Sequence, residues 1–161
     1  MAAGIKELKN TCPGLRYHIT SGDTEQVTEK LDKGVIDFAV LAEEPNTAKY
    51  HYLEFPTADI WGVVMPANCP LAGKPSISAS DLAGLPLLCP EQGWHNDIAR
   101  WCGNKIDTLN LEGSFRLSYN GSVFVKEGLG YLLTFKYLAD TNPGSRLVFR
   151  LRIYSCCRKN A

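Results

Sequence analysis

The sequence lacks an excess of charge of either sign. Lys plus Arg and Asp plus Glu both number 17 in 161 residues, so the formal net charge is zero. A chain that holds DNA or RNA by itself needs a basic surface, which this composition does not supply. The sequence also lacks an apolar run long enough to span a membrane, and its start, MAAGIKELKN, lacks the apolar core of a signal peptide. These absences predict a cytoplasmic chain without membrane contact.

The spacing of a metal site is also missing. Six cysteines are present, but no C-x-x-C occurs, and no Cys and His pair has zinc-finger spacing. Four cysteines are isolated (Cys12, Cys69, Cys89, Cys102) and two are adjacent (Cys156, Cys157). We therefore expect reduced structural thiols, with neither a metal nor another cofactor.

One short stretch combines residue types that nucleophilic catalysis uses. Cys89, Glu91 and His95 lie within seven residues of each other. Cys89, however, ends the apolar run Leu85–Cys89, and a thiol buried in a strand is normally inert. No Thr-Arg-Phe motif of a prephenate dehydratase-like enzyme is found. The sequence therefore predicts no catalytic residue and a protein that is not an enzyme.

The stretch from Leu15 to Leu41 has the pattern of strand, helix and strand. Leu15–Thr20 alternates apolar and polar residues, and Ile36–Leu41 is almost wholly apolar, as in a strand covered on both faces. Between them, Asp23 can cap a helix, and Gly34 is a typical left-handed stop. Strands joined by so short a helix should lie parallel.

Small and polar residues stand where the first of these strands would lead into its helix. Ligands of open α/β sheets lie beyond the carboxyl ends of strands, where helix N-termini offer free N–H groups. The candidates here are Ser21, Gly22, Asp23 and Thr24. The alternative is that they only cap the helix.

The second half of the chain repeats this arrangement twice. The strand Leu85–Cys89 leads through a loop into a predicted helix Trp94–Cys102, and the strand Phe115–Tyr119 leads through a turn into a helix from Val123. The two connections contain the further candidates Pro90, Glu91, Gln92 and Gly93, and Asn120, Gly121 and Ser122. Trp94 could stack on a ligand or cover the core. Three such connections predict a cleft between two lobes, a favoured place for a small ligand.

The remaining strands are predicted from short apolar runs. They are His51–Phe55, Asp59–Met65, Gly130–Thr134 and Leu147–Phe149, and Pro56-Thr57-Ala58 joins the first two. A single helical turn capped by Ser80 is expected around residues 81–83. Because Asp23 and Glu91 would both lie near the cleft, the charge of the ligand stays open.

Three blocks of sequence resemble the effector-binding domain of LysR-type transcriptional regulators. They are GVIDFAVL, MPANCPLAGKPSISASDLAGLPLLCPEQG and VKEGLGYLLT, in the family's order, within a match from about Ile5 to Leu138. The resemblance implies an α/β fold of the periplasmic-binding-protein-like type II class, with two lobes around a cleft and crossing hinge strands. The expected division is residues 1–65 as lobe I, residues 66–134 as lobe II, and residues 135–161 as a return towards lobe I with an atypical tail.

The resemblance also implies a function and partners. We expect small-molecule effector sensing, with contacts from the candidate residues above and from Trp94, and a hinge at Met65, Pro66 and Thr134. Members of the family form homodimers and bind DNA through a winged-helix domain that this chain does not contain. The alternative is a solute-binding domain of a transport system or another non-enzymatic ligand-binding protein.

The sequence departs from the family at three places. Cys69 replaces a usual His, the residues after Phe149 do not match, and the family's first strand is missing. That strand would lie between Tyr17–Thr20 and Ile36–Leu41, whose unpaired backbone groups would cost about 1–3 kcal/mol each when buried. A stability of roughly 5–15 kcal/mol could not absorb this loss. We therefore expect these two strands to slide together or to pair with another chain.

Overall fold

A computed structural model describes residues 2–55 and 59–153, with side chains described up to residue 150. The chain divides into two compact units, Met1–Val40 and Leu41–Ala161. The lobe boundary expected at residues 65 and 66 is a different division and stays a prediction.

The first unit contains two helices, α1 (Ala2–Thr11) and α2 (Thr24–Asp32). The predicted cap of α2 is confirmed, because the Asp23 carboxylate accepts a hydrogen bond from the Gln26 N–H at 2.9 Å. The predicted stop is confirmed as well. Gly34 has a φ of 65°, and the Val35 N–H donates back to the Lys30 carbonyl at 2.9 Å, as in a Schellman motif.

The two strands predicted around α2 are wrong. Residues 15–20 and 36–41 form no strand, so the parallel crossover between them does not exist, nor have they moved together to pair. The segment predicted to be buried on both faces is open, with Phe38 70% exposed and Val40 51% exposed. Strand formation needs a neighbouring backbone, and no described residue supplies one here. Pairing of these segments with another chain stays a prediction.

The second unit is built on one sheet. Its strands are β1 (Trp61–Pro66), β2 (Pro86–Pro90), β3 (Asn110–Phe115), β4 (Tyr131–Phe135) and β5 (Leu147–Ile153). They form a five-stranded sheet in the order β3-β2-β4-β1-β5. β2 runs parallel to β3 and β4, whereas β1 runs antiparallel to β4 and β5.

A long helical segment and a further helix connect these strands. The segment after β2 consists of α3 (Glu91–Gly93), a π-helical turn (Trp94–Ile98), α4 (Ala99–Cys102) and a 3-10 helix (Gly103–Thr108). Helix α5 (Ser118–Lys126) follows β3, and short 3-10 helices lie at Pro70–Gly73 and Ala79–Asp81. The predicted helix Trp94–Cys102 is thus present, although it begins at Glu91 and contains a wide turn.

Several predicted elements of this unit need correction. His51–Phe55 is not a strand, since Leu53 is 95% exposed, and the turn at residues 56–58 lies outside the described residues. β3 ends at Phe115, where the predicted strand began, so Asn120-Gly121-Ser122 lies inside α5 instead of in a turn. The alternating stretch after Phe115 lacks a neighbouring strand, whereas residues 110–115 pair with β2. The last strand continues to Ile153, and the rest of the tail lies outside the described residues.

The sheet is buried on both faces because apolar residues point alternately to two cores. Val63 and Leu87 belong to one cluster, which Ile98 of the long helical segment covers. Val64 and Leu88, their neighbours in sequence, belong to the other cluster, to which α5 contributes Val125. This alternation at successive positions explains why the central strands read as continuous apolar runs.

The 3-10 helix Ala79–Asp81 begins with a capping box. The cap is Ser78 and not the predicted Ser80; the Asp81 carboxylate accepts from the Ser78 N–H at 2.8 Å and from the Ser78 hydroxyl at 2.7 Å. Asp81 also pairs with Lys74. The Lys74 ammonium and the Ser78 donors lower the pKa of Asp81 to about 2.

We predict that Asp81→Asn destabilises the protein in a pH-dependent way. The pKa of Asp81 is lowered in the folded chain, so the carboxylate stabilises the fold above about pH 4 and this contribution is lost as the pH falls towards 2. Loss of the cap should cost on the order of 1 kcal/mol at pH 7. Urea unfolding of the variant and the parent should show this difference at pH 7 and a smaller one at pH 3. The exposed Asp107→Asn is the control, and an equal loss at both pH values would contradict the assignment.

Candidate functional site

Two parallel strands end side by side at one edge of the sheet. Pro90 of β2 is in register with Phe115 of β3, and each strand is followed by a helix, at Glu91 and at Ser118. In α/β sheets this is the position where ligands bind, because helix N-termini and short connections meet there. We call Pro90–Trp94 together with Ser118–Ser122 the strand-end site.

Side-chain amides of the helical segment after β2 hold a carboxylate. Gln92 donates through Nε2 to Glu43 Oε2 at 2.6 Å, and Asn96 donates through Nδ2 to Glu43 Oε1 at 3.2 Å. Both oxygens of Glu43 are therefore bonded to neutral donors. This arrangement shows that the strand-end site can bind a carboxylate. Gln92 was predicted, whereas Glu43 and Asn96 were missed, since Glu43 is 49 residues from its partner Gln92.

The neighbouring predicted residues serve mainly to pack the core. A Cβ atom added to the buried Gly93 would lie 2.6 Å from the ring of Trp61. The Trp61 indole N–H donates to Asp97 Oδ2 at 3.1 Å, so the ring is fixed in place. Trp94 is half-buried against the same core cluster, and Glu91 is exposed. For Trp94, this contact favours the core-covering interpretation.

The predicted residues of α5 divide in the same way. Asn120 is exposed, but Gly121 and Ser122 are buried. A Cβ atom on Gly121 would lie 2.8 Å from Leu132 Cδ1, and the Ser122 hydroxyl donates to the Tyr119 carbonyl at 2.7 Å. The helix itself begins at Ser118, which the sequence analysis did not single out.

The residues predicted as a hinge lie within the sheet. Met65 is fully buried in β1, next to Pro66, and Thr134 is buried in β4. Thr134 donates through its hydroxyl to the Ser118 hydroxyl at 2.6 Å, which ties β4 to the start of α5. The hinge role of Met65, Pro66 and Thr134 stays a prediction.

The remaining candidates belong to the first unit. Ser21 and Gly22 are exposed, and Asp23 and Thr24 are half-buried at the start of α2. The Asp23 carboxylate caps the helix, as described above, which agrees with the simpler of the two interpretations for this residue. Ligand contact by Ser21, Gly22, Asp23 and Thr24 stays a prediction.

The buried thiols are poorly suited to nucleophilic chemistry. Burial raises the pKa of Cys89, and the negative charge of Asp97 raises it further. Burial also raises the pKa of Cys102 to about 11. Among the described residues no group of three or more His, Cys, Asp and Glu side chains could hold a metal ion.

A family model described as "LysR substrate binding domain" matches residues 1–154. The chain belongs to the LysR substrate-binding domain family. The sequence of this LysR domain is 29% identical over 149 residues to the HTH-type transcriptional regulator YtlI of Bacillus subtilis, covering 86% of the chain and 45% of that protein. The chain therefore spans less than half the length of this relative.

Solved structures of LysR regulators have the same fold. HinK of Pseudomonas aeruginosa, a LysR family transcriptional regulator, has a TM-score of 0.74 at 19% identity, with 93% of this chain and 53% of HinK covered. The effector-binding domain of QuiR in complex with shikimate also has a TM-score of 0.74, at 16% identity, with 91% of this chain and 70% of that chain covered. The expected fold class, α/β of the periplasmic-binding-protein-like type II, is confirmed. No helix of the described residues is long and apolar enough to cross a membrane.

We predict that Gly93→Ala destabilises the LysR domain. The added methyl group would overlap the buried ring of Trp61, and overpacking of this kind costs about 1–3 kcal/mol. Gly73→Ala is the matched control, because no atom lies within 4 Å of its added Cβ. Chemical denaturation should separate the two variants, and equal stability of both would show that Trp61 moves freely.

The cysteines should differ sharply in reactivity. Cys12 is exposed, whereas Cys89 and Cys102 are buried with raised pKa values. Because the thiolate is the reactive form, iodoacetamide at pH 8 should modify Cys12 and leave Cys89 unmodified until the protein unfolds. Peptide mass spectrometry measures this order, and rapid modification of Cys89 in the native protein would restore it as a candidate nucleophile.

Proposed function

We propose that this chain senses a small-molecule effector for a LysR-type transcriptional regulator, without catalysing a reaction. Effector binding at the strand-end site would favour one conformation of the chain over another, which is how a ligand alters a protein that it does not change chemically. The effector would be enclosed with help from Ser21, Gly22, Asp23 and Thr24, in a cleft bordered by both lobes.

One observation carries this proposal. The parallel strands β2 and β3 end together and are each followed by a helix, in a domain family of transcriptional regulators. A second observation supports it, since the QuiR domain, which shares the fold, is described in complex with shikimate. The polar donors Gln92 and Asn96 at the same edge already hold the carboxylate of Glu43.

The partners of the chain follow from the same proposal. In a longer protein, a separate winged-helix domain would contact DNA, and two effector-binding domains would associate as a homodimer in the cytoplasm. This chain itself has 17 basic and 17 acidic side chains, and so lacks the positive charge with which proteins hold nucleic-acid phosphates.

The experiment is a binding screen with a variant at the strand-end site. The purified chain is mixed with a panel of small metabolites that includes shikimate, and thermal shift and native mass spectrometry identify stoichiometric binders. We expect Gln92→Ala to weaken binding of a hit at least about tenfold, the loss expected when a bond to a charged ligand is removed.

The matched control is Asn104→Ala, an exposed amide in the 3-10 helix after α4 that does not belong to the site. This variant should bind the same hit as the parent does. Equal affinity of the parent, Gln92→Ala and Asn104→Ala would place the effector elsewhere. Absence of any binder, including from a metabolite extract, would contradict the sensing role.

A further inference from the structure

A second concave region of the same unit is lined by basic residues. It has a volume of about 650 Å³, and the side chains that matter most for its chemistry are Lys74, Lys136, Arg150, Thr141 and Val148. They come from the chain after the 3-10 helix Pro70–Gly73, from the connection after β4, and from β5. We call this region the basic groove; it shares no residue with the strand-end site.

The charge of the basic groove is not cancelled by its lining. Three of its lining residues are cationic and none is acidic. Lys74 is paired with Asp81, but Lys136 and Arg150 form no ion pair with any described residue. Asp140, next to the lining residue Thr141, accepts a hydrogen bond from the Asn142 N–H at 3.2 Å. The groove therefore keeps positive charge available for a ligand.

Arg150 is held in a fixed orientation. Its Nε donates to the Ala72 carbonyl at 2.6 Å, and its Nη1 donates to the Phe149 carbonyl at 3.1 Å. A guanidinium group has five N–H donors, so others remain for a ligand after these two bonds. Because its side chain is already ordered, binding an oxyanion to it costs little further conformational entropy.

The lining of the groove is also partly apolar, through Pro75, Val148 and Phe149. We propose that the basic groove is a second ligand site, which binds a small organic anion. The carboxylate or phosphate group of the ligand lies between Lys136 and Arg150, and its apolar part lies against Val148. This site is independent of the proposed effector site.

The test uses two anions with the same apolar part and one without it. Phenylacetate, phenyl phosphate and inorganic phosphate are titrated into the ¹⁵N-labelled chain at constant ionic strength, and backbone amide shifts are recorded. We expect saturable shifts at residues 136–150 with at least one phenyl anion, and weaker binding of inorganic phosphate. The ratio of the two phenyl affinities distinguishes a carboxylate site from a phosphate site. Absence of saturable shifts at these residues up to 20-fold molar excess and beyond, into the millimolar range, would overturn the proposal.

The variant Lys136→Gln should weaken the phenyl anion about three- to fivefold, the loss expected for one partly exposed ion pair. Lys136→Arg keeps the charge and should restore binding. Lys126→Gln at the end of α5 makes the same charge change outside the groove and should bind like the parent. Equal weakening by Lys126→Gln and Lys136→Gln would show a general charge effect and overturn the site. Because Gln92 is not in the groove, failure of this test leaves the proposed effector site untouched.

Discussion

A strand is stable only where a neighbouring backbone can accept and donate its hydrogen bonds, and this constraint accounts for the difference between the two units. In the second unit β2 has a partner on each side, and its apolar residues fill a core on each face. In the first unit the segments at residues 15–20 and 36–41 have comparable apolar content but no partner, so they form no strand. Side-chain pattern alone therefore did not decide the secondary structure.

The sequence predicted the elements whose signals are local. Helix α2 is capped by Asp23 and stopped at Gly34, and β2 and β4 are apolar runs between clear turn residues. It was less successful with β3, because the sequence NLEGSF contains a glycine and few apolar residues. The strand forms there because Gly113 lets the backbone approach Leu88 of β2, a contact that no local pattern indicates.

The candidate site was predicted in position more accurately than in detail. The connections after β2 and β3 do lie together, as the parallel arrangement requires. Two of their small residues, Gly93 and Gly121, are instead explained by close contacts with Trp61 and Leu132 in the core. Glu43, which occupies the amide donors of the site, was not predicted because pairings between residues so far apart in sequence leave no periodic signal.

The π-helical turn Trp94–Ile98 has a consequence for which side chains share a face of the helical segment. A residue advances by about 100° around an α-helix, so a one-residue change in the length of a turn rotates everything beyond it by that angle. The wide turn separates Gln92 from Ala99, and Asn96 lies within it. Deleting one residue here would make the helix regular while turning Asn96 and Gln92 to different directions. The spacing of this turn, and not the identity of the amides alone, determines that both reach the same acidic side chain.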